Sequence, residues 1–257
     1  MPLTYGQYLK VPELLSLQQG LAEPAHHDEP LFIIIHQVYE LWFKLILHEL
    51  DSAQEHVAAD KPIEAARLLR RVVEVQRLLV QQVRILETMR PQDFLGFRYH
   101  LNPASGFQSV QFRELEFVLG LKDAAVLQRL DCEPQERARL QARLEQPSLA
   151  DAFDDLLRRR GLGGGGDDWR LQALVRVYEE AEEHADLNAL AEVLIEIDEC
   201  LSLWRAHHIQ MVERMIGAKR GTGGSAGVGY LATTLAKRAF PDLWTARTHI
   251  GDDEPQP

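Results

Sequence analysis

The sequence predicts an all-α protein folded as a single-domain helical bundle, and three observations carry that prediction. Apolar residues recur every three or four positions over nearly the whole chain, which is the period of a helix with one buried face. No stretch alternates apolar and polar residues between hairpin turns. The chain has 257 residues, of which 46% are hydrophobic, enough for one sizeable core.

The elements follow in order. The spacing predicts a short helix over Val11–Gln19. Asp28-Glu29-Pro30 reads as a helix start, an acidic cap followed by a proline in the first turn, and that helix should reach Ala59. Pro62 opens another, expected to run to Met89, with Leu68, Leu69, Val72, Val75, Leu79 and Val83 on its apolar face. Shorter helices are expected over Pro91–Tyr99, Gly106–Leu119 and Gln135–Glu145. Longer ones follow over Asp167–Glu183 and Asp186–Ile216, then a last one over Gly229–Arg238. Gly161 and the run Gly163–Gly166 read as a flexible surface loop, so residues 146–170 are expected to form an excursion within one domain spanning 1–257.

Bulk properties exclude several classes. A net charge of −11 disfavours a sequence-independent grip on nucleic acid or anionic membrane. Cys132 and Cys200 lie far apart in neither a Cys-x-x-Cys nor a Cys-x-x-Cys-His pattern, which argues against a disulfide framework, a zinc ribbon and covalently attached haem. The N-terminal residues show no signal pattern, and the longest apolar run, Leu31–Ile35, is far shorter than a membrane span. A cytoplasmic protein without a membrane segment is expected.

Two histidines stand on apolar helix faces. Leu190, Leu194, Ile197, Leu201, Trp204, His208, Met211 and Met215 form one continuous stripe, with His208 inside it and His207 about 100° away. His208 reads either as a core histidine hydrogen-bonded to a carbonyl or as an axial haem ligand facing an apolar slot flanked by Trp204. Phe32, His36, Tyr39 and Phe43 share a face of a helix that is apolar nearly all round. His36 is therefore expected to be buried, either paired with Glu40 or receiving a substrate N–H. A di-iron bundle needs two Glu-x-x-His units, but the chain has one, Glu23–His26, interrupted by Pro24 and outside the helix. His-Glu-x-x-His is absent, which removes the zincin reading.

Residues 219–227, with Thr222 among four glycines, contain Gly-x-Gly-x-x-Ala, but a helix precedes them where a dinucleotide site needs a strand. Such glycine density suits a loop whose backbone comes close to a small ligand. Arg98, among Phe94, Phe97 and Phe107, is either a surface arginine packing its stem on aromatics or a buried fork for a carboxylate.

Taken together, YGQYL at 5–9, HDEPLFIIIHQVYELWFK at 27–44, FRYHLNPASGFQSVQFRELE at 97–116 and WRAHHIQMVERMIGAKRGTGGSAGVGYL at 204–231 resemble the tryptophan 2,3-dioxygenase family, as does LLVQQVRILETM at 78–89. The resemblance spans the chain. It implies a haem-dependent enzyme that inserts O2 across the indole C2–C3 bond of L-tryptophan to give N-formyl-L-kynurenine, the first step of tryptophan catabolism by the kynurenine pathway. It implies one haem b per subunit on His208, with Trp204 beside the cofactor and Ser105 and Gly106 over its oxygen-binding face. His36 matches the residue that meets the indole N–H, Phe32 the aromatic beside the indole, Arg98 the guanidinium on the substrate carboxylate, and Thr222 the hydroxyl at the amino-acid end. The resemblance further implies a homotetramer, a dimer of dimers, with an N-terminal arm (residues 1–20) whose Tyr5, Tyr8 and Leu9 close a neighbouring subunit's pocket. Phe94 stands where some members have Tyr, which leaves more of the carboxylate binding to Arg98. Three rivals stay open: a monooxygenase on the same scaffold acting on a substituted indole or other aromatic amino acid, a helical binding module without cofactor, and a haem carrier, which would have no use for Arg98 and Thr222.

Overall fold

The computed structural model describes residues 2–222 and 227–251. Two one-turn helices come first, α1 (Tyr5–Tyr8) and α2 (Val11–Leu14). Two long ones follow, α3 (Glu29–Ala58) and α4 (Pro62–Leu86). Next, α5 (Pro91–Phe97) runs into a 3₁₀ turn at Arg98–Leu101, and another at Gly106–Gln108 leads into α6 (Val110–Leu119). Then come α7 (Ala125–Arg129), α8 (Pro134–Glu145), α9 (Leu149–Arg159) and α10 (Trp169–Glu179). The longest helix, α11 (Ala185–Ile216), is followed by α12 (Val228–Ala232) and α13 (Pro241–His249). Among the described residues there is no strand, so the all-α expectation holds.

The bundle is built on α4, which packs against α3 on one side and α11 on the other. Leu50, Ala53 and Val57 of α3, Leu69, Val72 and Val73 of α4, and Leu190, Leu194 and Ile197 of α11 are no more than 1% exposed. Each large aliphatic among them contributes about 1.5–3 kcal/mol by leaving water. By length and mean hydropathy α3 could cross a membrane, but here it is a bundle helix packed on α4, α6 and α9. A second apolar cluster at the N-terminal end of α3 joins Ile35, Val83, Leu86, Phe97, Met211 and Met215. The strictly buried core thus occupies one end of the long helices, and a looser apolar chamber the other.

Several boundaries depart from expectation for physical reasons. Asp28 sits at the cap of α3, but its side chain makes no cap bond. The next residue does the work instead: the buried Glu29 carboxylate accepts N–H from Leu21 (2.7 Å) and Ala22 (3.1 Å), tying the preceding strap to the helix. α2 stops at Leu14 because none of its residues is buried, and a turn without a buried face does not propagate. α12 stops at Ala232, where the Thr233 and Thr234 hydroxyls donate to the Tyr230 and Leu231 carbonyls, both at 2.7 Å. The segment 146–170, expected as a flexible excursion, holds α9. Ser148 and Asp151 form its capping box, and Leu149, Leu156 and Leu157 are fully buried.

Candidate active site

The apolar chamber encloses a cavity of about 270 Å³, lined from α3, α4, α5, α6 and α11 and from the segments around residues 105 and 222. Phe32, His36, Arg98, Ser105, Gly106, Trp204, His208 and Thr222 all line it. Residues scattered over nearly 200 positions are therefore brought to one place. Tyr5, Tyr8 and Leu9 are not: they stand 78%, 72% and 44% exposed on the arm.

His36 is held by its own helix. The Phe32 carbonyl lies 2.7 Å from His36 Nδ1. A carbonyl can only accept, so Nδ1 carries the proton and donates, which fixes the tautomer and leaves Nε2 as a hydrogen-bond acceptor. Burial pushes the imidazole below its usual range, outweighing the Phe32 bond and Glu40, both of which raise it. Glu40 is not its hydrogen-bond partner: Gln111 Nε2 donates to the Glu40 carboxylate (2.8 Å) and carbonyl (2.9 Å). The Phe32 ring stacks 4.1 Å from His36 and 5.7 Å from Phe94, making an aromatic wall.

His208 enters from α11. Burial, and after it the neighbouring His36, push its imidazole down to about 4, so the ring is neutral with a free lone pair. Trp204, one turn earlier, lies nearly parallel to it, 4° between planes and 5.1 Å between centroids. Among the described residues the buried Trp204 Nε1 has no hydrogen-bond partner. His207 does not line the cavity.

At the mouth, the Arg98 guanidinium donates to the Arg220 carbonyl, and Thr222 Oγ1 donates to the Ala104 carbonyl at 2.7 Å. These bonds staple the glycine-rich loop to the 98–105 segment. The backbone needs glycine there: Gly227 has φ +62°, and a Cβ on it would lie 2.7 Å from the Lys219 carbonyl oxygen. Gly223, Gly224, Ser225 and Ala226 of the Gly-x-Gly-x-x-Ala reading lie outside the described residues.

A neutral imidazole on one wall, an oriented acceptor histidine on another and a guanidinium at the mouth can hold an aromatic amino acid against a metal-bearing ring. The comparisons agree. The tryptophan 2,3-dioxygenase family model matches residues 1–172 and 167–250. The chain belongs to the tryptophan 2,3-dioxygenase family. A tryptophan 2,3-dioxygenase from Nocardioides sp. is 49% identical, with 96% of this chain and 95% of the relative covered. Those from Xanthomonas oryzae and Xanthomonas campestris are 44% and 43% identical, each covering 99% of this chain and 90% of the relative.

Sequence reasoning missed a buried ionic group in the cavity wall, Arg113, Glu116 and Arg205. Arg113 and Glu116, three apart on a helix, look like an ordinary surface pair, and Arg205 lies beside the apolar stripe, inside a motif quoted for the resemblance but with no role assigned to it. Tyr39 was assigned only to an apolar face. Its hydroxyl donates to the Leu79 carbonyl (2.8 Å), joining α3 to α4, and burial pushes it up to about 12.

Proposed function

We propose that this chain is a haem-dependent dioxygenase that cleaves the indole C2–C3 bond of L-tryptophan to give N-formyl-L-kynurenine, the first step of tryptophan catabolism by the kynurenine pathway in the cytoplasm. The observation that carries this reading is the fixed tautomer of His36. Its Nε2 can only accept, in the same cavity as a neutral His208 and the Arg98–Thr222 mouth. An indole N–H, a carboxylate and an ammonium are the groups those features complement.

The donor set fits haem b. A neutral imidazole in an apolar chamber is the common axial ligand for haem iron, and His208 would supply it, its ring plane held by Trp204. When bound, the haem activates dioxygen, which no side chain here does. The protein's own residues do the rest. His36 accepts the indole N–H and so sets which edge of the ring faces inward. It serves as an orienting acceptor and not as an obligatory base, because an indole N–H is a very weak acid. Phe32 stacks beside the indole. Arg98 and Thr222 fix the carboxylate and ammonium, exchanging their present carbonyl partners for substrate, which sets distance and chirality. Ser105 and Gly106 cover the oxygen side.

The pocket also has a use for a neighbour. Leu3, Tyr5, Tyr8, Leu15, Leu17 and Leu21 are 60–78% exposed along the first 21 residues. An apolar strip of this kind is covered in the working molecule. A homotetramer in which the arm closes a neighbouring subunit's site accounts for it.

The experiment is an anaerobic absorption spectrum of the reduced, haem-reconstituted protein, followed by oxygen and L-tryptophan. A Soret band with N-formylkynurenine absorbance is expected, with both atoms of labelled O2 in the product. A single labelled atom would transfer the chain to the monooxygenase reading, and no haem binding would overturn the proposal. The His208→Ala variant is expected to lose the band.

A further inference from the structure

We propose that Arg113 and Arg205, bridged by Glu116, form a second anion seat in the cavity wall, and that it receives a propionate carboxylate of the haem. The inference rests on the haem reading and deepens it by naming residues that hold the cofactor's edge.

The charge count is the first reason. Two guanidiniums share one carboxylate: Arg205 Nη2 donates to Glu116 Oε1 at 2.7 Å, and Arg113 Nη1 to Oε2 at 2.5 Å. The side chains of Arg205, Glu116 and Arg113 are only 3%, 8% and 11% exposed. One positive charge is therefore left over where water screens it poorly. A buried excess charge is costly unless an opposite one joins it. The Phe107 and Phe112 rings, 5.0 and 5.3 Å from the Arg113 guanidinium, offset only part of that cost.

The hydrogen-bond count is the second. Arg113 Nε is buried and has no partner. Ser109 Oγ, also in the wall, accepts from Phe112 N at 3.2 Å, which leaves its O–H free to donate. The acceptors of the group are already engaged: each Glu116 oxygen takes one of the arginine bonds, and the Lys237 carbonyl accepts from Arg205 Nη1 at 3.1 Å. What the group leaves unpaired is donors, Arg113 Nε and the Ser109 O–H.

That asymmetry separates the two anions the cavity must hold. An amino acid brings an ammonium with its carboxylate and needs acceptors as well as donors. The mouth has both, Arg98 and Thr222 beside the Arg220 and Ala104 carbonyls. A propionate brings no cation, and a seat with a surplus guanidinium and unpaired donors suits it.

The test compares haem with its dimethyl ester, in which both propionates are neutral, in the wild-type holoprotein and in Arg113→Met. The readout is the rate of haem transfer to excess apomyoglobin. In the wild type the ester is expected to leave about 10-fold faster than the free acid. In Arg113→Met the free acid should leave about 10-fold faster than in the wild type, and esterification should then change the rate by less than about 2-fold. An ester effect as large in the variant as in the wild type would overturn the assignment. So would unchanged haem loss in Arg113→Met together with weaker binding of L-tryptophan but not of tryptamine, which would give the seat to the substrate carboxylate. Should Arg113→Met not fold, Ser109→Ala removes one donor and is expected to shrink the ester effect; an unaltered effect there counts against the proposal. Failure of the wild type to bind either haem would sink the haem reading itself, a different outcome from haem bound with no ester preference.

Discussion

At the scale of residues, the cavity works by deciding which atom can donate and which can accept. His36 spends its one proton on the Phe32 carbonyl, so only a hydrogen-bond donor on the ligand, such as an indole N–H, can satisfy its Nε2. L-Tryptophan should therefore be preferred over its N1-methyl analogue, and His36→Ala should erase much of that preference. An unmet buried acceptor costs about 1–3 kcal/mol, or about 10-fold or more in kcat/KM. An unchanged ratio in the variant would remove His36 from the indole edge. The pH dependence has a defined sign. Burial holds the His36 pKa below 6.5, and protonation at low pH would turn Nε2 from acceptor to donor. The kcat/KM for L-tryptophan should stay level as pH falls through 6.5 and decline only below it, with no acid limb centred at or above 6.5. Arg98 acts on binding. Arg98→Ala strands a carboxylate at a cost of roughly 2–5 kcal/mol, seen as about a 30-fold or larger rise in substrate Kd with the Soret band intact. Unchanged saturation would place Arg98 outside the substrate's reach.

At the scale of elements, the histidine of α11 is useful only because the helix is fixed along its length. Asp198, 1% exposed, accepts from the Ala239 amide (2.9 Å), the Phe240 amide (3.3 Å) and the Trp244 indole (3.1 Å), joining α11 to the start of α13. Asp198→Asn keeps the shape but turns one acceptor into a donor facing N–H groups. It should cost about 1–3 kcal/mol, read as a lower urea midpoint with an unchanged slope. A midpoint within error of the wild type would show that the α11–α13 joint is not stabilising. Elements were legible in the sequence wherever a long apolar stripe set the period: α3, α4 and α11 lie within three residues of expectation at each end. His208 was legible as a member of such a stripe, while the ligand role proposed for it comes only from the family resemblance. The failures have local causes. α9 was hidden behind the glycine run that follows it, although Leu149, Ala152, Phe153, Leu156 and Leu157 keep helical spacing. The Arg113–Glu116–Arg205 group was illegible because a buried and a solvated ion pair have the same spacing; only the fold, by setting α6 against α11 around a cavity, distinguishes them.

At the scale of the whole molecule, one chain leaves two apolar surfaces uncovered. One is the arm. The other is a strip across two neighbouring antiparallel helices, Ile34 and Leu41 of α3 beside Ile85 and Leu78 of α4, each 43–53% exposed. The pairing is fixed by Tyr39 bonding to the Leu79 carbonyl and by Gln82 Nε2 donating to the Ile35 carbonyl. A net charge of −11 opposes indiscriminate association, so a defined, symmetric contact between copies is the arrangement that covers both surfaces. In the assembly proposed above the arm would act in trans, and this can be tested without an interface structure. Removing residues 2–10 deletes Tyr5, Tyr8 and Leu9 but leaves the cavity residues untouched. That variant should bind haem normally and turn over poorly. Arg98→Ala has the opposite defect, an intact arm and a crippled mouth. Mixed in equal amounts under conditions that let subunits exchange, intact sites become paired with intact arms. Half the protomers keep a working site and half of their neighbours lend an arm, so activity should recover toward about a quarter of wild type. An arm that folded back on its own subunit would give no recovery above the sum of the two separate variants, and an arm without a role would leave the deletion fully active before mixing.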